Sequence, residues 1–234
     1  MESPEYPQMM PVSGLTDERR AAFYRKTYTH VALAVLLFII TEFLFFQSPA
    51  IVNFAASLIG GWSWLLLLGV FMFVTNYAEN LALKSEDKNT HYIALVIYVI
   101  AEAFIFIPML LFALQAIDGV QMLQQAAVMT IALFAGLSTI VFVTKKDFSF
   151  LKSILAIGFF VALGLIVAGV IFGFDLGLWF SVGMVLLAGG SILYTTSNMI
   201  HKYEEEQYVA AALGLFASLM LLFWYILRIF MSRD

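Results

Sequence analysis

The chain has 234 residues, a hydrophobic fraction of 62%, a charged fraction of 12% and a mean hydropathy of +0.94. A soluble domain of this length must turn roughly half its residues to water, so this composition excludes a soluble enzyme, a disordered protein and a basic nucleic-acid binder. The formal net charge of -4 points to no polyanion partner, and the absence of cysteine excludes disulfides, Cys-ligated zinc, iron–sulfur centres and a thiol nucleophile.

What remains is an integral membrane protein with little mass outside the bilayer. Residues 1–29 are polar, carry Pro4, Pro7, Pro11 and Gly14, and lack the apolar core and small-residue cleavage site of a signal peptide. They are expected to form a cytoplasmic tail ahead of a membrane domain over residues 30–234. Within the tail, Thr16 and Glu18 ahead of Arg19, Arg20, Ala21 and Ala22 read as the capped start of a helix that leads into the bilayer.

A spanning helix needs about 20 mostly apolar residues. Seven stretches qualify: His30–Phe46, Gly61–Thr75, Tyr92–Leu114, Met122–Val143, Ser153–Phe172, Leu178–Ile200 and Tyr208–Phe230. Their apolar runs are unbroken, unlike the alternating strands of a membrane barrel. Between the first two, Ala50–Leu58 precedes Gly60, Gly61, Trp62 and Trp64 and reads as a short interfacial helix. The expected fold is therefore all-α, a seven-helix transmembrane bundle.

Positive charge orients it. Arg19, Arg20, Arg25 and Lys26 precede the first span, and Lys84 and Lys88 follow the second. Lys145, Lys146 and Lys152 follow the fourth, and Lys202 follows the sixth, so ten of the 12 basic residues fall on one side. Only Arg228 and Arg233 fall at the other end. Because Lys and Arg stay in the cytoplasm, the N terminus is expected inside.

Four segments resemble the Bax inhibitor family (transmembrane Bax inhibitor motif proteins) in a bacterial version. They are Tyr24-Arg-Lys-Thr-Tyr-Thr-His30; Gly136-Leu-Ser-Thr139 with Thr144-Lys-Lys-Asp-Phe-Ser-Phe-Leu151; Ser191-Ile-Leu-Tyr-Thr-Thr-Ser-Asn198; and Tyr208-Val-Ala-Ala-Ala-Leu-Gly-Leu-Phe-Ala-Ser218 with Tyr225-Ile-Leu-Arg228. The resemblance implies seven helices with the last at the centre. The residues agree in one respect: Ala210, Gly214 and Ser218, four apart, form a small-residue face suited to close helix packing. It also implies a pH-sensitive leak for calcium or other cations, tied to aspartates in the last two helices, and a bacterial cytoplasmic membrane as location. Here the corresponding positions are Thr195, Gly214 and Ser218, none of them acidic. A carboxylate pair can share a proton and gate by pH, whereas Thr195 and Ser218 can only hydrogen-bond.

Two acids lie at membrane depth. Glu42 is about two thirds of the way along the first span, and Glu102 is midway along the third, six residues before Pro108. A charge at the bilayer centre costs roughly 2.5–3.5 kcal/mol, so both are candidates for an ion pathway; the competing reading is a protonated acid hydrogen-bonded across a helix interface. Ser191, Thr195 and Asn198 share one face of the sixth span and offer either a hydrophilic lining or interhelical hydrogen bonds. His30, His91 and His201 map to the cytoplasmic edge.

No phosphate-binding loop, zinc helix, nucleophile elbow or dinucleotide fingerprint occurs, so no enzyme and no cofactor are expected. Two functions from different classes follow. One is a cation leak, calcium-related, in which Glu42 and Glu102 replace the missing aspartates. The other is a non-conducting membrane interaction protein that modulates, or is handled by, an AAA membrane protease through the tail, as in some bacterial proteins similar to this family.

Overall fold

A computed structural model describes residues 11–85 and 87–232. A 3-10 turn at Val12–Gly14 leads into α1 (Asp17–Phe46), followed by α2 (Pro49–Ser57), α3 (Gly61–Lys84) and α4 (Lys88–Gln115). Then come α5 (Gly119–Thr144), α6 (Leu151–Phe172), α7 (Gly177–His201), a 3-10 turn at Glu205–Gln207 and α8 (Tyr208–Met231). Seven of these helices are long and apolar enough to cross a membrane. α2 is the short helix expected between the first two spans. Its Pro49 sits at the helix start, where a missing N–H costs nothing.

The helix expected to start after Thr16 and lead into the bilayer is present: α1 runs unbroken from Asp17, so the second half of the tail over residues 1–29 is helix. One boundary lies well beyond the one read in the sequence. α3 continues nine residues beyond Thr75, to Lys84. The polar residues Asn76, Glu79 and Asn80 end the apolar run but not the helix, because Thr75, Ala78 and Ala82 keep a buried face at helical spacing.

α8 lies at the centre and packs against α1, α3, α4, α5 and α7. In its most apolar window 72% of the residues are buried, against 6% in α6, which turns Ile157, Phe160 and Val161 outward. Lipid supplies no hydrophobic drive for helix association, so a central helix is held by shape. Ala210, Ala211 and Ala212 are buried on α8, and a methyl group added at Gly214 would sit 3.1 Å from Cγ2 of Thr195 on α7.

The connections sort onto two faces. One carries the start of α1 and the α3–α4, α5–α6 and α7–α8 connections. There Arg19 pairs with Glu205, and Lys88 pairs with Glu206 at 2.7 Å. This is the face of the ten lysines and arginines, here called the basic face. The opposite face carries α2, the α4–α5 and α6–α7 connections and the end of α8, where Arg228 lies 3.5 Å from Asp175. Seven crossings thus place Pro11 and Ser232, the first and last described residues, on opposite faces.

Segment 11–15 is docked on the basic face. Val12 and Leu15 are buried, the Val12 N–H donates to the Tyr203 carbonyl at 2.9 Å, and Pro11 bridges Glu204. Residues 1–10 lie outside the described residues.

Candidate functional site

A cavity of about 690 Å³ lies among α3, α4, α6, α7 and α8, and its lining extends toward the basic face as far as Leu83 and Tyr203. The last two helices supply its polar wall. The Ser191 and Ser218 hydroxyls lie 2.9 Å apart, the Thr195 hydroxyl is 3.5 Å from that of Ser218, and Ser218 donates to the Gly214 carbonyl at 3.0 Å. The Thr195–Ser218 contact open to these two residues is present at the limit of hydrogen-bond distance, with Ser191 as the nearer partner. Asn198 adds an Oδ1 that has no partner, one further turn along the same face of α7.

The mouth on the basic face is set by the end of α7. The Asn198 carbonyl accepts from the N–H groups of Lys202 and Tyr203, at 2.7 and 3.1 Å, and this turn sends the Tyr203 side chain back over the cavity. Its hydroxyl would lie 3.8 Å from a methyl group added at Gly214. Burial pushes the Tyr203 hydroxyl up to about 12, and Glu79 and Tyr194 act in the same direction.

A second cavity, of about 480 Å³, opens toward the opposite face between Gly61, the Gly173–Leu176 turn and Arg228. The two cavities share a wall formed by Leu68, Phe71, Glu102, Ile166, Leu221 and Tyr225. Glu102 is the one carboxylate common to both; it is buried, and its Oε2 has no hydrogen-bond partner.

The structure thus gathers Glu102, Ser191, Thr195, Asn198 and Ser218 around one cavity, with Ala210 and Gly214 in the same wall. Glu42 stands apart. It is buried on α1 with neither oxygen partnered, and it lines neither cavity. One acid was missed by sequence reasoning. Glu79 lies in the stretch of α3 beyond the expected span Gly61–Thr75, and it lines the inner cavity with Glu102 and Tyr98. The recurrence of Thr75, Ala78, Glu79 and Ala82 at helical spacing was the available signal. Of the histidines, His30 faces the Tyr92 hydroxyl at 3.2 Å and His91 faces the Ser85 carbonyl at 2.7 Å, both near the basic face. Among the described residues no group of three or more His, Asp or Glu is placed to hold a metal ion.

A seven-span helical bundle with a central last helix and a carboxylate-bearing interior cavity defines a multi-pass membrane protein. The chain belongs to the Bax inhibitor family: residues 20–234 match the family model described as inhibitor of apoptosis-promoting Bax1. It is similar to mouse protein lifeguard 4, with 28% identity over 89% of this chain and 84% of that one. An uncharacterized protein of Pseudomonas aeruginosa is 40% identical over 48% of this chain, a match that spans only 51% of that relative's length. The modulator of FtsH protease YccA of Escherichia coli is 38% identical over 45% of this chain and 49% of its own.

Proposed function

We propose that this protein is a passive cation leak, with Glu102 at the junction of its path. One observation carries the reading: a single carboxylate, with no hydrogen-bond partner at Oε2, lines two cavities whose walls extend toward opposite faces of the bundle. A carboxyl group at membrane depth without a basic partner is costly to keep, which marks it as functional. The hydroxyls of Ser191, Thr195 and Ser218 and the amide of Asn198 supply oxygens along the inner half, and Glu79 adds a second carboxylate toward the basic face. The ten basic residues favour that face as cytoplasmic, in a bacterial cytoplasmic membrane. On this reading the protein catalyses no reaction.

The test is the full chain reconstituted in liposomes loaded with a calcium dye. Calcium entry is expected for the native chain and for Glu42→Gln, with a loss of at least tenfold in Glu102→Gln. Absence of flux at every pH, or equal flux in Glu102→Gln, overturns the reading.

The similarity to the E. coli FtsH modulator favours a second reading, a non-conducting protein that modulates or is handled by an AAA membrane protease. A protease that engages the tail must work against the docked segment 11–15, whose Val12 and Leu15 are buried. Co-purification with the protease that survives deletion of residues 1–10 removes the tail from this role.

A further inference from the structure

The outer cavity has a chemistry that a cation path does not require. Its walls are aromatic: Trp64 and Trp224 are stacked with ring centroids 6.3 Å apart, and Phe106 meets Trp224 edge-on at 4.8 Å. Glu102 lies one turn before Phe106 on α4, so the carboxylate and the ring face the same space. At the rim the Arg228 guanidinium is engaged, 3.5 Å from Asp175 and over the Phe180 ring at 5.9 Å. Deeper in, among the lining residues, the Glu102 carboxyl and the Tyr225 hydroxyl are the titratable groups, so the one basic group of the chamber, Arg228, stays at the rim beside Asp175.

Those features select a ligand class. Resident binding of a calcium ion takes six to eight oxygen ligands, which an aromatic chamber with one carboxylate does not provide, so on the proposed path calcium passes this chamber with its water shell and is not held in it. An organic cation with its charge spread over an apolar body needs no oxygen cage; aromatic faces attract it, and one carboxylate complements it. The volume of about 480 Å³ lies within the usual range for a small-molecule site. Glu102 is 5% exposed, and its unpartnered Oε2 is a polar atom that the fold itself leaves unsatisfied.

We propose that the outer cavity, walled by Trp64, Phe106 and Trp224 with Glu102 at its base, binds a lipophilic organic monocation such as an amine or onium ion. The site shares Glu102 with the proposed leak but does not depend on conduction. A binding measurement and a flux measurement can therefore fail separately.

The test titrates tetraphenylphosphonium into the full chain in lipid nanodiscs and follows tryptophan fluorescence. A saturable change is expected, at least tenfold weaker in Glu102→Gln and unchanged in Glu42→Gln, with the neutral analogue triphenylphosphine oxide binding at least tenfold more weakly than the cation. Equal binding of the neutral analogue, or equal affinity in Glu102→Gln, overturns the proposal. A measurement on the native chain guards against a variant that fails to fold. Labelling by dicyclohexylcarbodiimide, read by mass spectrometry, should fall severalfold at Glu102 and stay constant at Glu42 when the cation saturates. Unchanged labelling at Glu102 also overturns it.

Discussion

The backbone N–H of Val12 donates to the carbonyl of Tyr203 at 2.9 Å, joining the segment before the first span to the connection before the last. The same connection carries the Tyr203 side chain that covers the inner cavity. Beside this bond, Arg19 forms an ion pair with Glu205, so two contacts tie the chain start to the α7–α8 turn. Burial of Val12 contributes about 1.5–3 kcal/mol, while the exposed ion pair contributes little.

Val12→Asp should therefore free the turn. It removes a fully buried side chain and introduces a carboxylate with no partner. Tryptic cleavage at the exposed Lys202, followed by mass spectrometry, should accelerate at least tenfold, while Ser13→Asp, at an exposed neighbour, should cleave at the native rate. Equal rates for the two variants would show that the segment does not hold the turn.

The approach of α7 to α8 at Gly214 makes a second expectation. Alanine is favoured over glycine inside a helix by about 0.8–1.0 kcal/mol, but its methyl group here would sit 3.1 Å from Cγ2 of Thr195. Thr195→Ser deletes that methyl. In the serine background Gly214→Ala should stabilise by up to about 1 kcal/mol, and in the native background most of the gain should vanish. Thermal unfolding of the four proteins in one detergent measures the coupling; additive effects would show that the contact is slack.

Two acids on the basic face give a pH dependence of defined sign. The Thr90 hydroxyl, with the N–H groups of Asn89 and Thr90, holds the Asp87 carboxyl below the usual carboxylate range. The Ser149 hydroxyl and N–H do the same for Asp147 at the turn into α6. A carboxyl with a lowered folded value adds stability above its unfolded value, about 3.9, and loses it as pH falls through the folded value. The melting temperature should drop between about pH 4 and the lower folded values, and Asp87→Asn with Asp147→Asn should flatten that drop. An unaltered acid limb in the double variant would place the transition in other groups.

Much of this arrangement was legible in the residues. The i, i+4 and i+7 spacing of Ser191, Thr195 and Asn198 placed them on one face of a helix, and the face is the one that lines the inner cavity. The small residues Ala210, Gly214 and Ser218 marked the helix able to sit among five others. Glu79 was hidden because an apolar window ends at Thr75, whereas a helix lining a polar cavity continues through polar residues that face it. The helix from Thr16 was legible, but the docking of Val12 and Leu15 was not, because their burial depends on a partner more than 180 residues away, at Tyr203 and Glu204.

Hydropathy alone determined the number of crossings, since backbone polar groups in lipid must be satisfied within each helix and about 20 apolar residues therefore declare a span. It could not rank Glu42 against Glu102, because both are lone acids in apolar helices with the same local signature. Tertiary packing decided that: α4 turns Glu102 to the wall between two cavities, while α1 buries Glu42 away from both. Which face of a helix meets a cavity is set by neighbours distant in sequence, and no local pattern encodes it.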